Sequence, residues 1–292
     1  LIVALIHSIM SPFLRNLAIA LLRFQINTTA LFSPIRAGRM SLDIFRTPRK
    51  GRLRDQDRLF LQGAKWEVLQ AEGLDIQTYL WEGTGPTILL AHGWESNSAR
   101  WRTFINLFRK KGYRIVAMDA PGHGATSSER FDAHCYGMAM KAVAERFEPA
   151  FIIGHSAGGM SVLYYLATFK PSFVRGGVVI AAPISLRKIL RNFYGILQLS
   201  PRAIQGMDLA ILEKFAQPTE AFDLFDFARN TDVPGLLLFD AGDQIADFAE
   251  GQQLAEVWKN SRFIGFEGLG HSVNGKEVVE AVLQFIGESK PL

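Results

Sequence analysis

The chain has one cysteine, Cys135, in 292 residues. A lone thiol excludes an intramolecular disulfide framework and any multi-cysteine zinc site, and it suits a reducing, cytoplasmic setting. No repeat of about 20–50 residues and no low-complexity tract is present, which removes solenoids and arrays. There is no His-Glu-x-x-His helix and no glycine-rich phosphate loop, so neither metal nor cofactor is expected. Charged residues are few, at 21%, and apolar residues plentiful, at 48%, the reverse of a disordered composition. One large globular domain with added material, or two small domains, remain.

Net positive charge is missing from most of the chain. Residues 1–60 hold ten Lys/Arg against three Asp, a net +7, while the remainder carries a net −3. The chain therefore lacks the basic body that would hold a nucleic acid, and none is expected as a partner. The N-terminal arm, residues 1–60, is basic and partly apolar, and precedes a body over residues 61–292.

An unbroken apolar run long enough to span a bilayer, about 20 residues, is also absent. The segment 1–24 is strongly apolar, but Pro12, Arg15 and Asn16 interrupt it. A secretory signal would need a basic start and a small-residue cleavage site, and neither is clear. Ser8, Ser11, Arg15 and Arg23 recur at helical spacing as a narrow polar stripe. Three readings stand: a helix packed on the body or another subunit, a helix lying on a membrane surface, or a span or signal.

From residue 65 the pattern is regular. Lys65–Ala71 and Leu74–Trp81 alternate polar and apolar residues and read as an antiparallel pair joined at Glu72-Gly73. Short apolar runs follow at Thr87–Ala91, Ile115–Met118, Phe151–Ile153, Val178–Ala181, Leu236–Phe239 and Phe263–Phe266. Such runs are what parallel strands covered on both faces require. Helical segments at about 97–110, 134–147, 157–168, 247–259 and 274–287 lie between them. The alternation predicts a doubly wound, mostly parallel α/β sheet, whose ligands bind at the carboxyl ends of the strands. The stretch from Pro183 to Pro234 exceeds one crossover helix. Its apolar spacing at Leu186–Leu197, and again at Leu209, Leu212 and Phe215, predicts an inserted helical cap over about 184–233.

The chemistry-bearing residues fall at strand ends. Phe151–Gly159 reads FIIGHSAGG, a buried strand, then Gly154-His155-Ser156-Ala157-Gly158, then a helix. At such a corner a sharp turn exposes a serine, the glycines remove clashing side chains, and the helix amino terminus favours developing negative charge. A serine needs a base. His92, His123 and His155 are embedded in other turns and His7 and His134 lie on helices, whereas His271 stands directly after the last strand. A carboxylate must fix that histidine's tautomer. Asp240, Asp243 and Asp247 compete after strand Leu236–Phe239: Asp240 is nearly in the strand, Asp247 sits where a helix cap belongs, and Asp243 is best placed in the intervening loop. An oxyanion hole usually takes two backbone amides, here Ala157 N–H and Trp94 N–H of the turn Ala91-His92-Gly93-Trp94-Glu95.

Over about residues 65–292 the chain resembles the α/β-hydrolase superfamily. It shares the His-Gly turn at 92–93, the Asp119-Ala120-Pro121-Gly122-His123-Gly124 turn, the Gly154–Gly158 elbow, the acid loop at 240–243 and the Gly-His at 270–271. The resemblance implies a triad of Ser156, Asp243 and His271, with oxyanion amides at Trp94 and Ala157. Serine in place of aspartate at the elbow argues against dehalogenase and epoxide chemistry. The expected activity is hydrolysis of carboxylic esters with apolar groups, by a lipase-like serine esterase acting on a small molecule. A thioesterase, an acylglycerol lipase and a C–C bond hydrolase use the same triad, and a non-catalytic binding protein is the rival from another class. Peripheral membrane contact through residues 1–60 would favour the lipase.

Overall fold

The computed structural model describes residues 12–289, so Ser8, Ser11 and His7 lie outside the described residues. Its strands are β1 (Lys65–Ala71), β2 (Leu74–Trp81), β3 (Thr87–Ala91), β4 (Arg114–Met118), β5 (Phe151–His155), β6 (Gly176–Ile180), β7 (Gly235–Asp240) and β8 (Ser261–Phe266). The helices, in chain order, begin with α1 (Pro12–Phe32), α2 (Pro34–Arg46), α3 (Asp55–Leu61), α4 (Arg102–Lys110), α5 (Ala133–Phe147) and α6 (Ala157–Phe169). They continue with α7 (Leu186–Leu197), α8 (Pro201–Phe215), α9 (Leu224–Arg229), α10 (Phe248–Val257) and α11 (Lys276–Glu288). Two compact units result. Lys50–Ile184 and the chain from Leu224 onward form one; Ser185–Asp223 and the chain up to Arg49 form the other.

The first unit is built on an eight-stranded sheet of order β1-β2-β4-β3-β5-β6-β7-β8. The β1–β2 and β2–β4 pairs are antiparallel and every other pair is parallel. Burial explains the layout. The strands β5, β6 and β7 are buried at every position, as two helical layers demand. At the edges, β1 and β8 are partly exposed, β1 in alternation. The sequence therefore reads as the doubly wound α/β sheet it forms. Strand order reverses at β3, with β4 on one side and β5 on the other. At such a switch point the connections leave on opposite faces, and a crevice opens at the carboxyl ends of the strands.

Beyond β4 the chain turns through Asp119, which is fully buried. Its Oδ1 accepts hydrogen bonds from Ser98 N (2.9 Å) and Ser98 Oγ (2.7 Å). Its Oδ2 accepts from Tyr79 Oη (2.6 Å) and Ala125 N (2.9 Å). A buried carboxylate survives only when such donors replace its water. Here they lock β2, the turn after β4 and the segment after β3 into one framework.

In the second unit, α1 and α2 pack with α7 and α8 around Ile26, Ala30, Ala37, Leu42, Leu190, Phe193, Leu197 and Met207. The described part of the apolar segment read over 1–24 is helical from Pro12, and that helix runs on to Phe32. Ser33 then caps α2 by accepting from Arg36 N, with Pro34 in the first turn, where its missing N–H costs nothing. Ser200 and Pro201 repeat the device at α8. Gly38 of α2 and Gly206 of α8 lie where the two backbones meet, and a Cβ on either would overlap the other helix's main chain. Asn27 of α1 reaches the α7–α8 turn, donating to Gln198 O (3.1 Å) and accepting from Ser200 N (2.8 Å). Among the described residues no helix is long and apolar enough to cross a membrane.

Candidate active site

Every residue singled out for chemistry lies just beyond a strand carboxyl end. Gly93 follows β3, Asp119 follows β4, Ser156 follows β5, Asp243 follows β7 and His271 follows β8. The sheet alone thus gathers residues spread over more than half of the sequence.

Ser156 sits between β5 and α6 at φ +54°, ψ −119°. A non-glycine residue at positive φ is costly and persists only when its surroundings impose it. Here β5 must stop and α6 must start within one residue, and their backbones nearly touch: a Cβ on Gly154 would overlap Gly158 O. The turn sets Ser156, itself buried, at the corner, and α6 begins at the next residue, aiming its positive end at the same place.

Ser156 Oγ lies 3.0 Å from His271 Nε2, and His271 Nδ1 lies 2.8 Å from Asp243 Oδ2. In the tautomer that satisfies both contacts, Nδ1–H donates to the carboxylate and Nε2 accepts from the hydroxyl. Asp243 is itself fixed, its Oδ1 accepting from Ile245 N (2.7 Å) and Ala246 N (3.1 Å). The three competing acids have separate places. Asp240 ends β7 and accepts from Gly242 N (2.9 Å) through Oδ1 and from Leu269 N (2.8 Å) through Oδ2, tying the acid loop to the histidine loop. Asp247 caps α10, accepting from Ala249 N (2.9 Å) and Glu250 N (3.2 Å). Only Asp243 of the three meets the His271 ring.

The turn after β3 is clamped by two neutral histidines. His92 Nδ1–H donates to Gly93 O (2.7 Å), and its Nε2 accepts from Ala120 N (2.9 Å). His123 Nδ1–H donates to Pro121 O (2.9 Å), and its Nε2 accepts from Glu95 N (2.8 Å). The peptide groups on both sides of Trp94 are therefore held, and its ring stacks edge-on against His123 and Phe131. Gly93 presses on the elbow: a Cβ there would stand 2.8 Å from Ser156 Cβ. Trp94 N–H and Ala157 N–H thus belong to the two residues that flank this junction, one on each chain segment.

Burial pulls His92 down to about 4 and His123 to about 3. In the unfolded chain both would titrate near 6.5. Between pH 6.5 and about 4 the unfolded state binds protons that the folded state refuses, so stability falls as pH falls. Each histidine removes at most about 1.4 kcal/mol per pH unit inside that window. Urea unfolding at pH 7 and pH 5 is expected to show a clearly lower midpoint at pH 5; equal midpoints would remove this account of the two rings.

Two side chains with no signal in the sequence hold the turn that bears His271. That turn, Gly270–Ser272, has no buried residue of its own and runs into Val273 at φ +35°. The His155 ring, driven well below its usual range by burial and by the Arg100 charge, stays neutral and bonds through Nε2 to His271 O (2.8 Å). Arg100 donates to Ser272 O (3.2 Å) while stacking on Trp101. Position 155 could be read only as part of an elbow, and position 100 only as part of a helix; neither pattern specifies a partner 116 or 172 residues away.

The arrangement has parallels. Residues 86–237 match the family model for the α/β-hydrolase fold. The chain is 28% identical over 257 residues to a bifunctional esterase/perhydrolase of Acinetobacter calcoaceticus, an alignment spanning 70% of this chain and 92% of the relative. It is 27% identical over 270 residues to a non-heme haloperoxidase of Rhodococcus erythropolis, spanning 75% of this chain and 98% of that one. Among solved structures, Est1E of Butyrivibrio proteoclasticus with ferulic acid bound superposes with a TM-score of 0.63 at 16% identity, covering 76% of this chain and 98% of the other. Sheet order, site placement and these likenesses agree: the chain belongs to the α/β-hydrolase family.

Proposed function

We propose that the protein is a serine hydrolase that cleaves carboxylic esters with apolar acyl or alcohol groups through an acyl-enzyme at Ser156. The observation that carries this reading is the unbroken hydrogen-bond relay from Ser156 Oγ through His271 to Asp243 Oδ2. In the first half-reaction Ser156 Oγ attacks the ester carbonyl carbon, and its proton passes to His271 Nε2. Asp243 stabilises the imidazolium through Nδ1–H. The carbonyl oxygen, now an alkoxide, is received by the amides of Trp94 and Ala157. Collapse breaks the carbon–oxygen bond, and the alcohol leaves with the proton from Nε2. Water then repeats the sequence on the acyl-serine and returns Ser156 with a free acid. The aromatic flank of the turn, Trp94 against Phe131, supports an apolar rather than a charged group, and a relative named as an esterase supports the ester.

Two measurements test the reading together. A fluorophosphonate probe is expected to label the protein once, at Ser156, and p-nitrophenyl acyl esters from acetyl to palmitoyl are expected to be hydrolysed with a preferred chain length. A protein that neither takes the label nor hydrolyses any ester in the series would overturn the proposal. Labelling without ester turnover would move thioesters, acylglycerols or C–C bonds ahead of simple esters.

A further inference from the structure

We propose that the outer face of α1 is a docking surface for an anionic lipid bilayer, against which the helix lies flat. The helix is apolar on two opposite faces. One face, Ile26 and Ala30 with Ile19 and Leu22 beside them, is packed inside the helical unit. At about 100° per residue, the opposite arc carries Phe13, Leu14, Leu17, Leu21, Phe24, Leu31 and Phe32, interrupted only by Thr28. Those side chains are exposed, Phe13 to 74%, Leu21 to 61%, Phe24 to 71% and Phe32 to 86%. Helix α8, packed on α1, has exposed apolar side chains of its own at Leu209 and Leu212. Isolated surface leucines need no explanation, but a run of this length along one helix marks a surface that meets something apolar.

Charge identifies the occupant. Residues 1–49 and 185–223, which make up this unit, hold eleven Lys/Arg against five Asp/Glu, a net +6, whereas the rest of the chain is −2. The basic excess is therefore confined to the unit that bears the exposed apolar arc, and Arg36, Arg191 and Arg202 of that unit are exposed. An apolar stripe with basic surroundings is the pairing that seats a helix at the headgroup boundary of an anionic membrane. The arc contains almost no polar group with which to select a protein partner.

The test is co-sedimentation of the full chain with vesicles. Partition onto vesicles rich in phosphatidylglycerol is expected to exceed that onto pure phosphatidylcholine by about tenfold or more, and to fall several-fold in about 0.5 M NaCl. Leu21→Glu combined with Phe24→Glu is expected to cut binding at least tenfold, with circular dichroism and thermal midpoint unchanged because both side chains already face solvent. Equal partition of wild type and variant would overturn the proposal, as would failure to sediment with either vesicle. A concentration-dependent dimer that the same variant abolishes would overturn it in favour of a second copy of the chain. None of these readouts uses Ser156.

Discussion

Ser156→Ala is expected to reduce ester hydrolysis by about four to six orders of magnitude without unfolding the protein. The substitution removes the one atom that forms the covalent bond in the proposed mechanism and keeps a side chain small enough for the elbow. Alanine tolerates φ +54° no worse than serine does, so the strain at the corner is unchanged. Catalysis should not fall to zero, because binding and the amide pair leave a residual of about 10³–10⁴ over water in enzymes of this kind. The comparison requires titrated active sites, since a trace of wild-type enzyme would imitate that residual. A variant within tenfold of wild type would mean that Ser156 is not the nucleophile.

Asp243→Asn is expected to lower kcat by about 10⁴ with little change in stability. Asparagine keeps the oxygen that accepts from Ile245 and Ala246, so the loop stays folded. Its amide nitrogen, however, presents hydrogens to His271 Nδ1. That favours the tautomer with the proton on Nε2, which cannot accept one from Ser156. Asp240→Ala should behave in the opposite way. It strips acceptors from Gly242 N and Leu269 N in a fully buried place, at a cost of about 1–3 kcal/mol for each stranded donor. A lower unfolding midpoint with a much smaller loss in kcat is expected. If the two variants exchanged behaviours, the roles of the two carboxylates would have to be exchanged as well.

The sheet was legible because burial leaves a direct mark. Runs such as TILLA and VVIA are apolar on both faces, and only strands between two helical layers need that. The separate places of Asp240, Asp243 and Asp247 were also readable, since one ends a strand and another stands where a helix amino terminus needs an oxygen. Other features left no such mark. Helix α3 starts with Asp55 and Asp57, yet the basic residues around it make the segment look like a solvated linker. The bond from His155 to His271 O joins two loops through a ring nitrogen, and no periodicity encodes that. Least visible was the partner of α1 and α2. An apolar stripe states that a face is covered without naming what covers it, and the answer, the insertion that begins at Ser185, lies more than a hundred residues downstream.

That partnership bears on how such a protein can be recombined. The helical unit has one core drawn from both ends of a long sequence interval, with Gly38 and Gly206 matched across it. Neither half is a portable cassette. A chimera that took the 185–223 segment from this chain and its amino terminus from another parent would inherit half of a fitted interface, and any crossover between residues 49 and 185 would separate two glycines that work only as a pair. Moving this insertion into or out of this chain must therefore carry two fragments at once.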